Sequence, residues 1–199
     1  MSASVDPLVV GRVIGDVVDM FVPTANMSAY FGPKHVTNGC DVKPSAATNP
    51  PKVTLSGNSD ELYTLRAQHA RMGPLVRQDH EPPQSFISLA SFVFSFPSFF
   101  GSNIFMQFVC VFRIVVDIPG GTNPTRGKEI LPYVGPRPPI GIHRYILVLF
   151  RQRAPLGLVD QPASRANFNT RIFAGQLDLG LPVATVYFNS QKEPASRRR

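Results

Sequence analysis

Apolar residues recur at helical spacing near the start of the chain, at Val10, Val13, Ile14, Val17 and Val18. That spacing predicts a short helix entered after Pro7 and ended before Pro23. The rhythm then shortens. Met27 to Phe31 reads as a strand, Val36 begins another, and the proline-rich, polar residues 41–52 read as a loop. Lys52 to Leu55 and Glu61 to Leu65 are predicted strands on either side of a Ser56–Asp60 turn. Ile114 to Ile118 is a β-branched run stopped by Pro119-Gly120-Gly121, and Pro136 to Pro139 forms a stiff loop. Residues 143–151, His-Arg-Tyr-Ile-Leu-Val-Leu-Phe-Arg, are apolar on both faces through their middle, which places this strand centrally in a sheet. Residues 169–179 predict a helix capped by Asn169 and stopped by Gly180, and Val183 to Phe188 a final strand. Many short strands with few helices imply a mainly β domain.

Composition narrows this picture. Twenty prolines among 199 residues argue against a helical bundle, because proline lacks the amide donor and clashes inside helices. The formal net charge is +7. Part of that excess sits in Arg197, Arg198 and Arg199, and the remainder is scattered, with no basic helix and no interleaved aromatics. The expectation is a solvated tail and no direct contact with nucleic acid. Cys40 and Cys110 are the only cysteines, which gives neither a disulfide framework nor zinc spacing. The N-terminus lacks a charged region followed by an apolar run, so no secretory signal is expected, and a reducing compartment, cytosolic or nuclear, is the default.

Residues 66–113 break the pattern. Residues 66–81 are polar and basic, and residues 82–112 then carry no charge at all. Nine of the fifteen phenylalanines fall between residues 86 and 112. The stretch is long enough to span a bilayer, which takes about 20 apolar residues. Pro97, Gly101, Asn103, Gln107 and several serines interrupt it. A low-order, sticky segment is the first expectation and a membrane anchor through 86–112 the alternative.

Gly141-Ile142-His143-Arg144-Tyr145, preceded by Gly135-Pro136-Arg137-Pro138-Pro139, resembles the G-x-H-R-[YF] motif of the phosphatidylethanolamine-binding protein family. Asp117-Ile118-Pro119-Gly120, the run from Asn167 to Arg171, the run from Val186 to Glu193 and the N-terminal run from Asp6 to Asp19 are similar to the plant branch of that family. The ending from Gln191 and the stretch Ala154–Gly157 are similar to its MOTHER OF FT type. The resemblance covers 1–65 and 114–199. It implies a mainly β fold with a large central antiparallel sheet, a smaller sheet and short peripheral helices. Residues 1–65 and 114–190 would form the domain, 66–113 a poorly ordered non-family insert, and 191–199 a basic tail.

The same resemblance implies a small pocket for an anion such as phosphate or a phospholipid head group, with His143, Tyr145, Pro138 and Gly141 on one wall. The opposite wall comes, in the family, from a D-P-D-x-P loop and a histidine-tryptophan pair. Both are absent here, and the forty-eight residues Arg66–Arg113 stand in their place. Translated intron or an alternative exon would leave such clean edges. The pocket is therefore expected to be impaired, and a misspliced, unstable or dominant-negative isoform is an alternative reading. Family florigens bind 14-3-3 proteins through positions that here hold Asp60, Arg126 and Pro155. Only Pro119, a further contact, is kept, so that interaction is not expected.

Enzyme chemistry finds no support in the pattern. There is no G-x-S-x-G elbow, no phosphate-binding glycine loop and no metal-ligand spacing among His35, Cys40, His69, His80, Cys110 and His143. No cofactor is expected. The role implied by the resemblance is regulation of plant development, in seed germination and dormancy or in flowering, through abscisic acid signalling and transcription-factor complexes, in cytoplasm and nucleus.

Overall fold

The computed structural model describes residues 6–71, 110–166 and 168–194. The chain divides into two compact units, Met1–Met72 with Phe108–Arg199, and Gly73–Gln107. The second unit, the phenylalanine-rich run from residue 86 to residue 109 and the arginine tail lie outside the described residues, and with them the expectations of low order or membrane anchoring. Among the described residues, no helix is long and apolar enough to cross a membrane.

Nine strands are described: β1 (Met27–Phe31), β2 (Lys34–His35), β3 (Cys40–Asp41), β4 (Lys52–Leu55), β5 (Leu62–Arg71), β6 (Cys110–Pro119), β7 (Lys128–Leu131), β8 (Ile142–Gln152) and β9 (Ala184–Gln191). They form a small sheet in the order β2-β1-β4 and a large one in the order β3-β9-β8-β5-β6-β7. All pairs are antiparallel except β3 with β9. The expected central strand is central: β8 lies between β9 and β5, with every residue from His143 to Phe150 buried.

The predicted strands at 61–65 and 114–118 are real but longer. β5 runs on through Arg71, and β6 begins at Cys110. The large sheet thus reaches into both ends of the segment that carries no family motif. β7 and the 3-10 turn Pro124–Arg126 have no counterpart in the sequence reading.

The predicted N-terminal helix is not continuous. It becomes two single turns, α1 (Pro7–Val10) and α2 (Val13–Asp16), broken by Arg12 at φ 53° and Gly15 at φ 101°. The left-handed residues interrupt the hydrogen-bond ladder but let Leu8, Val13, Val17 and Val18 all face the sheet. The second expected helix, α3 (Thr170–Gln176), is capped as predicted, with Asn169 Oδ1 accepting from the amides of Arg171 and Ile172. It stops sooner than expected, and Gly180 follows at φ 68°.

Strand alternation splits the large sheet into two cores. One face, with Leu65, Ala67, Tyr145, Leu147 and Phe188, packs on Ala29, Phe31, Val53 and Leu55 of the small sheet. The other, with Ile114, Ile146, Val148 and Phe150, packs under Leu8, Val13, Val17, Phe173 and Ala174 from the helical turns.

Two buried arginines stand on this second face, in opposite circumstances. Arg144 Nη2 meets Asp16 Oδ2 at 3.0 Å, and its Nη1 donates to the Gly11 carbonyl. Strand alternation puts Arg144 on the face away from His143, and Asp16 is its carboxylate partner there. Arg66 is fully buried, yet Nε, Nη1 and Nη2 have no hydrogen-bond partner among the described residues. Its guanidinium lies 4.3 Å from the Phe168 ring centroid and 5.7 Å from that of Phe173. Burial lowers its proton affinity, but a guanidinium still keeps its charge at neutral pH. Cation–π contact returns about 2 kcal/mol, less than the several kcal/mol that an unpaired buried ion costs.

The two arginines should therefore respond oppositely in urea denaturation. Asp16→Ala strands the Arg144 charge and is expected to cost about 2–4 kcal/mol, whereas Arg66→Leu is expected to gain about 1–4 kcal/mol. Loss of stability in Arg66→Leu would mean that the guanidinium is compensated in solution.

Candidate functional site

On the small-sheet face, β8 presents His143 and Tyr145 two residues apart, hence on one side. The neighbouring strand brings His69 between them, because His69 pairs with Tyr145 and Arg71 with His143 in the β5–β8 register. His69 Nε2 lies 2.6 Å from His143 Nδ1. The rings stack in series: His143 on His69 at 4.8 Å, His69 on Tyr145 at 5.1 Å, and Tyr145 on Phe188 at 5.3 Å. Phe112 of β6 closes the group edge-on against both Tyr145 and Tyr133.

The loop before β8 reaches the same place. Gly141 turns the chain at φ 81°, and the Ile140 carbonyl lies 2.9 Å from His143 Nε2. A carbonyl only accepts, so Nε2 carries the proton. In the neutral pair, His143 Nδ1 is then an acceptor and His69 Nε2–H its donor, since only one proton fits in the 2.6 Å gap. That leaves Nδ1 of His69 unprotonated. Both nitrogens of His143, which is 2% exposed, are occupied by protein groups.

Two ionisations are displaced. Burial, with the neighbouring His143 adding to it, lowers the His69 pKa to about 4. Burial likewise pushes the Tyr145 hydroxyl up to about 12, against an opposing hydrogen bond from the Arg137 backbone. Near neutral pH, His69 and Tyr145 are thus uncharged.

Of the residues singled out from sequence, His143 and Tyr145 meet in one cluster. Pro138 is buried in the adjoining loop, and Gly141 is its exposed turn. Pro119 ends β6 far along the strand from this cluster, paired with Leu62. His69, Phe112 and Tyr133 belong to the cluster and were not singled out. Tyr63, Leu65, Ala67 and His69 keep one strand period across the edge of the motif-free segment, which was the available signal. Cavities of about 250, 240 and 300 Å³ lie on the opposite, helix-covered side around Phe150, Phe168 and Phe173, and none of the three is lined by His143 or Tyr145. Among the described residues, no group of three or more His, Cys, Asp or Glu side chains is arranged to hold a metal ion.

This architecture and the motif on β8 are shared with known proteins. A family model described as phosphatidylethanolamine-binding protein matches residues 107–188. Protein MOTHER of FT and TFL1 homolog 2 of Oryza sativa subsp. japonica is 47% identical over 201 aligned residues, covering all of both chains. The chain belongs to the phosphatidylethanolamine-binding protein family. Protein TERMINAL FLOWER 1 of Arabidopsis thaliana is 40% identical over 98% of this chain and 96% of its own. Among solved structures, the phosphatidylethanolamine-binding protein from Plasmodium vivax aligns with a TM-score of 0.65 over 94% of this chain and 96% of its own, at 15% identity, a likeness of fold alone. Family membership and the two-sheet fold implied by the motifs are thus confirmed.

The His69 shift sets a pH dependence. Its folded pKa of about 4 lies below the 6.5 of an unperturbed ring, so between those values the unfolded chain binds more protons. The contribution is complete above the unfolded value, declines as pH falls, and is gone once pH passes below the folded value. It amounts to at most about 3 kcal/mol, less the screening of a partly exposed ring. The difference in urea stability between wild type and His69→Phe should vary across this window. A difference that stays constant with pH would refute the assignment.

Proposed function

We propose that this protein is a non-enzymatic regulator of plant development of the MOTHER OF FT type. It acts in seed germination and dormancy through abscisic acid signalling, in cytoplasm and nucleus, by contacts with transcription-factor complexes and without a working anion pocket. The observation that carries the reading is the occupation of both His143 nitrogens, by His69 and by the Ile140 carbonyl. An anion site needs free donors. Here the neutral pair offers an unprotonated His69 Nδ1 instead, and among the described residues the protonated Tyr145 hydroxyl is the one side-chain donor the cluster keeps, too few for an anion. The regulatory part of the reading is supported by the relatives' names and by identity along the whole chain. Position 60 holds an aspartate, position 126 an arginine and position 155 a proline, which supports a partner set without florigen-type 14-3-3 contacts.

Titration with inorganic phosphate and with phosphoethanolamine, followed by NMR at the His143 ring, should leave its resonances in place up to about 1 mM ligand, where binding would amount to roughly 4 kcal/mol. A saturable shift below that concentration would overturn the closed-pocket reading. Seeds expressing the full chain should differ from controls in germination on abscisic acid. Unchanged germination at confirmed protein levels would remove the developmental assignment.

A further inference from the structure

The helix-covered face of the sheet holds buried donors that meet no acceptor among the described residues. Arg66 and Gln68 lie two residues apart on β5, opposite Val148 and Ile146 of β8, so their side chains share that face. Three guanidinium nitrogens of Arg66 and the Gln68 amide nitrogen are buried without a hydrogen-bond partner among the described residues. Gln68 is fixed beside them, because Thr170 Oγ1 donates to its Oε1 at 2.7 Å. Unmet donors alone, with a fixed positive charge, define what is lacking: an acceptor carrying negative charge.

Phe168 and Phe173 separate Arg66 from open space. Their centroids are 5.4 Å apart, and both rings also line a cavity of about 240 Å³ with Ala166, Asn169 and Ile172. That volume exceeds the ~150 Å³ that accommodates benzene. Among the described residues, no acidic side chain lines it. Asp160 belongs to the adjacent 300 Å³ cavity and is exposed, and the nearby Arg171 is already paired with Asp19.

We propose that this region is a binding site for a small apolar monocarboxylate, its body in the 240 Å³ cavity and its carboxylate paired with Arg66 as the Phe168 and Phe173 rings part. A single guanidinium neutralises one negative charge, so a phosphate dianion would leave charge buried. The planar fork of arginine fits a carboxylate with two parallel hydrogen bonds. The site lies on the face of the sheet away from His143 and does not rest on the regulatory reading above.

Benzoate and its neutral counterpart benzamide test the idea by calorimetry on the full chain. Wild type should bind benzoate at least about ten-fold more tightly than benzamide. Arg66→Leu should lose that preference, and Arg66→Lys should keep part of it. Equal binding of the two probes by wild type, or a preference for benzoate surviving in Arg66→Leu, overturns the proposal. If Arg66→Leu does not fold, the Arg66 Nε–H resonance of wild type decides: a shift with benzoate and none with benzamide supports the site, and no shift with benzoate removes it.

Discussion

Ten successive residues of β5 pair with β8 without a slip, from Leu62 opposite Gln152 to Arg71 opposite His143. An unbroken antiparallel ladder leaves no freedom in where each side chain goes, because the period of a strand is two and a one-residue shift would turn every residue over. β8 is apolar and buried along its middle, so any sequence lying beside it enters the interior. Arg66 to Ala70 do so although they carry no family motif. Their backbone groups gain partners on β8, and that gain holds even where the side chains suit the interior poorly.

The two faces absorb the unusual residues differently. On the small-sheet side, His69 replaces solvent with aromatic neighbours and one nitrogen of His143. A histidine tolerates this because it sheds its proton, and the displaced pKa records the adjustment. On the helix side, Arg66 has no such escape and keeps its charge among phenyl rings. Ionisation chemistry, rather than burial alone, thus separates a quiet substitution from a strained one.

Much of the fold was legible in the chain. Residues 143–151 announced a central strand through apolarity on both faces, and Asn169 announced the start of α3 through capping chemistry. What misled was the assumption that motif and structure end together. β5 and β6 extend past Leu65 and Ile114 because strand formation depends on a partner, not on the family pattern. The N-terminal apolar spacing fitted a helix, yet Gly15 and Arg12 adopt left-handed angles that periodicity does not register. His143 and Tyr145 were visible as a pair, while His69 was not, since its place depends on cross-strand register over 74 residues of separation.

Arg144 and Arg66 show what a sheet demands of the segments that cover it. Both project from neighbouring strands toward the same helical layer. Over Arg144 the chain supplies Asp16 at 3.0 Å and the Gly11 carbonyl, and the irregular turns α1 and α2 bring those acceptors within reach. A regular helix through Arg12 and Gly15 would carry Gly11's carbonyl in its own ladder and deny it to the guanidinium. The left-handed angles at the N-terminus are therefore part of how a buried charge is satisfied. Over Arg66 the covering chain supplies Phe168 and Phe173, a surface shaped for an apolar neighbour, and no acceptor among the described residues. The covering layer matches one arginine and not the other, and the unmatched one is the residue at which the family motifs break off.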